Sequence, residues 1–175
     1  MEQKSLFPDP DSELAARLAR GEPPPGERHI FTVGHSTRPA EEFVALLERF
    51  GIRRVVDIRH FPKSRHNPQF DREALQKLLA ERGIQYLWLE ELGGYRRGGY
   101  LAYMGTGAFR WGIDRLERLA GEARTAYMCA ELKWWRCHRR RVSDVLESRG
   151  WTVIHIMAPD RVELHRHKEN KIKCD

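Results

Sequence analysis

Apolar positions along the chain switch repeatedly between a strand-like and a helix-like spacing, and that rhythm predicts the architecture. "HIFTVGHS" (29–36) is a short, nearly continuous apolar run ending in Gly34, as a strand buried on both faces would be. "PAEEFVALLERFG" follows it. Phe43, Leu46, Leu47 and Phe50 keep helical spacing there, Pro39 suits a first turn, and Gly51 supplies a stop. "RRVVDIR" (53–59) reads as a second strand, and after it comes a helix that Asp71 can cap. That helix carries Leu75, Leu78 and Leu79 on one face before Gly83. The unit then recurs: "IQYLWL" (84–89) is a third strand, "AFRWGIDRLERLA" (108–120) a helix and "TAYMCA" (125–130) a fourth strand. "CHRRRVSDVLESRG" (137–150) reads as a helix and "WTVIHIM" (151–157) as a fifth strand.

Strand–helix alternation of this kind indicates the α/β class: a single three-layer, Rossmann-like domain over residues 28–157 with a mainly parallel sheet of about five strands. Residues 1–27 read as an N-terminal extension, with Ser12 capping a short helix over "ELAARLAR" and "GEPPPGE" forming a stiff linker. The segment "EELGGYRRGGYLAYMGTG" (90–107) is too rich in Gly and Tyr to be regular, and a long loop inside a compact domain is often functional. Residues 158–175 form a polar, basic tail with no element assigned.

Composition narrows the picture only a little. The 175 residues suffice for one core and not comfortably for two, and 41% hydrophobic with 32% charged residues argues against global disorder. No stretch approaches the roughly 18 consecutive apolar residues of a membrane helix. Charges and prolines interrupt the N-terminus where a signal peptide would need an apolar core, so a cytoplasmic protein without membrane association is expected. The net charge of +6 favours anionic partners, a phosphorylated small molecule or nucleic acid, although an arginine-rich solvated surface would read the same way. Cys129, Cys137 and Cys174 cannot all pair with one another, and a reducing compartment would keep them as thiols.

In open parallel sheets ligands bind beyond the carboxyl ends of the strands. Here those ends are "GHS" (34–36), "DIRHFP" (57–62), "EELGG" (90–94), "CAE" (129–131) and "HIMAPD" (155–160), and the chemically unusual residues gather at them. In "MCAELKWWRCHRRR" (128–141) a strand ends at Cys129, and Arg136, Cys137, His138, Arg139 and Arg140 sit near a helix start. Unpaired N–H groups there would attract an anion or lower the pKa of a thiol. Either cysteine can then be a nucleophile, or Cys129 is a buried thiol beside a cationic helix face. The spacing from Cys129 to Arg136 is one residue too long for a phosphatase-like loop, and its bulky interior is unlike a phosphate cradle. Zinc-type ligation by Cys129, Cys137 and His138 lacks the usual paired spacing.

The other ends add acid–base and anion-binding candidates. His35 is a proton-transfer candidate, and Ser36 can cap a helix or meet an oxyanion. Asp57 can orient His35 or pair with Arg59 or Arg139, since an unpaired carboxylate at the end of an apolar strand is costly. Arg59, Lys63 and Arg65 add charge, and Asn67 and Phe70 can contact a ring. Glu131 and Glu91 are possible general bases, and Trp134 can stack on a nucleobase or pack inward.

Taken in order, "TVGHSTRPAEEFVALL", "VVDIRHFPKSRHNPQF", "YLWLEELGG" and "YMCAELKWWRCHRRRVSDVLESRGWTVIHI" resemble the bacterial and archaeal family of domains of unknown function numbered 488, over residues 30–157. The resemblance implies a small α/β protein whose motif residues fall on His35, Ser36, Asp57, Arg59, Pro62, Arg65, Asn67 and Phe70, then Leu92, Gly93 and Gly94. They continue at Cys129, Glu131, Arg136, Cys137, His138 and Arg139.

The leading expectation is an enzyme acting on a phosphorylated or nucleotide/nucleic-acid substrate, with His35, Asp57 and Glu131 doing acid–base work and Cys129 as the candidate nucleophile. Ser36, Arg59, Arg65, Asn67, Arg136, Cys137, His138 and Arg139 would bind the anion. A nucleic-acid or nucleotide binding module is the alternative, using the basic loops at 53–65 and 136–141, the tail "HRHKENKIK", and Trp134 with Tyr95 as stacking surfaces. A metal protein built on Cys129, Cys137 and His138 is a further one. The pattern names no cofactor and does not choose an oligomeric state.

Overall fold

The structure, a computed structural model, describes residues 9–166. Helix α1 (Pro10–Ala19) starts earlier than expected: Asp9, not Ser12, holds the cap position, without a side-chain cap bond. Pro10 accounts for this start, because its fixed φ suits a first turn and its missing N–H is not needed there. Strand β1 (His29–Gly34) leads to α2 (Ala40–Arg49), and β2 (Arg54–Asp57) leads to α3 (Arg72–Glu81). Next, β3 (Gln85–Trp88) continues through the short α4 (Tyr100–Tyr103) into α5 (Gly107–Glu122). Finally β4 (Thr125–Cys129) leads to α6 (Arg139–Ser148), and β5 (Thr152–Ala158) turns into β6 (Arg161–Leu164).

The six strands form one sheet in the order β3-β2-β4-β1-β5-β6, parallel throughout except for the β5–β6 pair. The sixth strand lies in the stretch expected to be a basic tail from residue 158. Pro159 and Asp160 turn the chain, Val162 pairs with Ile156, and the Val162 side chain is fully buried. The N-terminal extension is likewise part of the body of the fold, since Ala15 and Leu18 of α1 are buried in the main core cluster. The rest of the tail, including Cys174, lies outside the described residues.

Alternation along the strands divides the core between two faces. Phe31, Val33, Ala126, Met128, Ile154 and Ile156 pack with α1, α2 and α3, while Ile30, Tyr127 and Val153 pack with α5 and α6. That makes three layers. Each fully buried helix side chain, such as Phe43, Leu47, Leu75 or Leu116, contributes about 1.5–3 kcal/mol by leaving water. The connections running toward β3 and those running back lie on opposite faces, as right-handed crossovers require. Strand β4 stands between β1 and β2 and sends its loop to the face opposite theirs. The crevice where Cys129 ends β4 is therefore the topological switch point of the sheet.

No helix among the described residues is long and apolar enough to cross a membrane.

Candidate functional site

Gly34 lets the ends of β1 and β4 come together. A Cβ there would stand 2.0 Å from the carbonyl oxygen of Glu131, so only glycine admits the loop that follows β4. The pairing continues past the strand, with His35 and Ser36 donating backbone N–H bonds to Cys129 and Ala130. Ser36 takes a left-handed φ of 52° at this turn.

The loop carries Cys137 back onto Cys129. Their sulfurs are 3.1 Å apart, and the Cys137 sulfur also accepts the Arg139 backbone N–H at 3.3 Å. That N–H belongs to the first turn of α6, which has no intrahelical acceptor for it. The hydrogen bond from Cys129 pulls the Cys137 thiol well below the ordinary range, and the charge and N–H of Arg139 pull it further, against the effect of burial. Burial pushes the Cys129 thiol up, and donating to Cys137 raises it more. The opposed shifts favour the state in which the Cys129 thiol donates to a Cys137 thiolate.

Arg139 supplies the charge that this state needs. It is fully buried; its Nη1 donates to Thr32 Oγ1 at 3.0 Å and its Nη2 to the carbonyls of Glu131 at 2.6 Å and Leu132 at 3.2 Å. Its Nε has no hydrogen-bond partner, and no carboxylate pairs with it among the described residues. A buried guanidinium is costly without a counter-charge. Burial opposes its charge, and the sulfurs of Cys129 and Cys137 outweigh that opposition.

Asp57 and Arg59 satisfy each other instead. The Asp57 carboxylate, fully buried, accepts Arg59 Nε at 2.9 Å, Nη2 at 2.7 Å and N–H at 3.1 Å, and also the Tyr86 hydroxyl at 2.5 Å. Arg59 Nη2 also donates to the Phe70 carbonyl at 2.8 Å, which pins the 60–70 loop to the sheet. His35 stacks on Phe70 at 4.3 Å, donates Nδ1–H to the Ser36 carbonyl and offers Nε2 to Arg59 Nη1 at 3.4 Å. Burial lowers its pKa to about 4, so it stays neutral.

Above the sulfurs lies a cleft of about 320 Å³, whose walls include Arg59, Lys63, Tyr95, Glu131, Cys137 and His138. Gly93 and Gly94 allow the 90–94 loop to form one wall, because Cβ atoms there would meet the His60 backbone and the His138 ring at 2.8 Å. His138 Nε2 donates to the Ile58 carbonyl at 2.7 Å, leaving Nδ1 as the lone-pair nitrogen, and burial lowers its pKa to about 4. Exposed Phe61 and Tyr95 flank His60 at the mouth, with ring centroids 6.4 Å apart.

A family model described as domain of unknown function DUF488 matches residues 39–146. The chain belongs to this family. The DUF488 match runs from the threshold of α2 to the last turns of α6, and so contains Asp57, Arg59, both sulfurs and Arg139. It stops short of His35 on one side and of β5 and β6 on the other. No curated protein and no solved structure matches the chain.

Of the residues expected at the DUF488 site, Arg59, Cys129, Glu131, Cys137 and His138 line one cleft, with Arg139 beneath it. His35 and Asp57 meet only through Arg59. Ser36 is half-buried at the turn, Arg65 and Arg136 are exposed on flanking loops, and Asn67 donates its backbone N–H to Ser64 Oγ. Cys129 and Cys137 are together, whereas the His138 ring is committed to Ile58. Among the described residues no three His, Cys, Asp or Glu side chains form a metal-binding group.

The sequence reading missed a second layer. Arg139 donates to Thr32, Thr32 bonds His155 Nδ1 at 2.7 Å, His155 Nε2 meets His165 Nδ1 at 3.0 Å, and His165 Nε2 meets Asp144 at 2.8 Å. Proton placement has one consistent direction, each group donating to the next from Arg139 to Asp144. Trp134 stacks flat on His155 at 4.3 Å and donates its indole N–H to Glu163, so it packs inward while Trp135 is exposed. The available signal was His155 itself, a polar residue inside the apolar run "WTVIHIM" that must find partners when buried.

Proposed function

We propose that the protein is an enzyme whose nucleophile is the Cys137 thiolate, acting on an electrophilic, anionic, ring-bearing substrate held in the cleft above it. The observation that carries this reading is Arg139: a fully buried guanidinium with no carboxylate partner among the described residues, beside two thiols of which Cys137 is the one favoured to ionise. Both sulfurs border the cleft, but Cys137 is the more exposed and Cys129 only 2% exposed, so attack belongs to Cys137 and Cys129 stabilises the thiolate by its hydrogen bond. Lys63 offers the cleft a cation, and Phe61 and Tyr95 offer faces for a ring, a combination that suits a phosphorylated small molecule or nucleotide. Glu131, exposed on the cleft wall, is the carboxylate able to move a proton at the substrate. His35, Asp57 and Arg59 hold the floor and do not react in this account.

The test is competitive labelling with iodoacetamide at neutral pH, read by peptide mass mapping. Cys137 is expected to be alkylated at least about tenfold faster than Cys129 or Cys174, following its larger thiolate fraction. Equal rates at Cys137 and Cys174 would remove the basis of the proposal.

Exposed Lys63, Arg65 and Arg136 around exposed aromatic rings favour one second reading, a nucleotide or nucleic-acid binding module without catalysis. It predicts affinity for single-stranded nucleic acid that falls steeply with salt and survives Cys137→Ser.

A further inference from the structure

We infer that Cys129 and Cys137 form a reversible thiol–disulfide centre, in which Cys137 attacks a disulfide substrate and Cys129 resolves the mixed disulfide. This deepens the thiolate reading of Cys137 and rests on it.

Three observations carry the inference. The sulfurs are 3.1 Å apart and both are free, so a bond of about 2.05 Å needs an approach of only about 1 Å. The two thiols are unequal in the way the chemistry requires. Both border the cleft, but Cys137 is half-buried whereas Cys129, at the end of β4, is only 2% exposed. Both ends of the intervening loop are fastened, because the Arg139 guanidinium bonds the Glu131 and Leu132 carbonyls while its backbone N–H holds the Cys137 sulfur. The sulfurs are therefore held in register by a buried group and not by a mobile segment.

The Cys137 thiolate attacks one sulfur of a disulfide RSSR, a bond forms between Cys137 and that sulfur, and RS⁻ leaves. Cys129 then loses its proton to the departing thiolate and attacks the Cys137 sulfur, and the second RS⁻ is released. The centre has given up two electrons and the substrate disulfide has accepted them as two thiol-level products. Run backwards, the Cys129–Cys137 disulfide oxidises a dithiol. Arg139 biases this equilibrium, since disulfide formation removes the thiolate that compensates its buried charge. The reduced form is the stabilised one, and the disulfide is an oxidising one that exchanges readily.

The experiment uses the full chain carrying Cys174→Ser, equilibrated in buffers of varied reduced and oxidised glutathione and quenched by acid. Intact and peptide mass then report the thiol state. The expected result is a Cys129–Cys137 disulfide whose population follows the buffer ratio and reverses completely. Cys129→Ser should accumulate glutathione on Cys137, and Cys137→Ser should form no intramolecular disulfide and leave Cys129 unmodified. Cys129→Ala serves in place of the serine variant if that fails to fold. Rapid alkylation of Cys137 with no intramolecular disulfide at any ratio would overturn this inference and leave the thiolate reading standing. Slow alkylation of Cys137 would overturn the thiolate reading instead.

Discussion

The Arg139 guanidinium lies buried beside the Cys137 sulfur, and the backbone N–H of the same arginine reaches that sulfur at 3.3 Å. One residue thus contributes a charge and a helix-terminal donor to one thiol. The α/β scaffold makes this possible by ending β4 and starting α6 over the same crevice of the sheet. The consequences separate groups that hold the site from groups that react in it.

Asp57 belongs to the first kind. Asp57→Asn leaves the buried Arg59 without its counter-charge and should destabilise the fold by about 3–5 kcal/mol in urea denaturation. Cys137 in the protein that remains folded should keep its alkylation rate. A loss of alkylation rate with stability intact would instead give Asp57 a direct part in the chemistry.

The chain from Arg139 through Thr32 to His155 should behave as one unit. Thr32→Val and His155→Phe each orphan a buried polar partner, at a cost of about 1–3 kcal/mol. The double variant should lose less than the sum of the two, with a coupling of at least about 0.5 kcal/mol in a double-mutant cycle. Strict additivity would show that the contact carries no energy.

Acid should unfold the protein through its neutral histidines. Burial lowers His35 and His138 to about 4 and His155 well below its usual value, so the unfolded chain binds protons there that the folded chain does not. Their stabilisation is fully present above the unfolded value of about 6.5 and is lost as pH falls from there through about 4. Each contributes at most about 1.4 kcal/mol per pH unit in that window, and His35→Phe should flatten the slope by close to one proton. A stability curve level between pH 6.5 and 4 would contradict the neutral assignment.

Much of the fold was legible because parallel strands buried on both faces leave continuous apolar runs, as in "RRVVDIR" and "TAYMCA". β6 was not, since a short edge strand with one fully buried apolar residue, Val162, reads as a polar tail. The position of the site was legible for a topological reason: strand–helix alternation places the carboxyl ends of the parallel strands β1 to β5 on one edge, and the unusual residues stood at those ends. Which of them face the cleft was not. Asp57 and Arg59 look reactive by type, yet they consume each other's hydrogen-bonding capacity. Asp144, His155 and His165 come from α6, β5 and the residue after β6, and no spacing along the chain announces that they meet.

If the buried Arg139 charge holds Cys137 as a thiolate, it sets the pH dependence of Cys137 alkylation, to be measured in the wild type and in Arg139→Met. In the wild type the rate should reach its plateau more than about one pH unit below the ordinary thiol value of about 8.5. Arg139→Met should move the midpoint back toward that value. A wild-type Cys137 that titrates at the ordinary thiol value, or a midpoint indifferent to Arg139, would contradict a thiolate held by that buried charge.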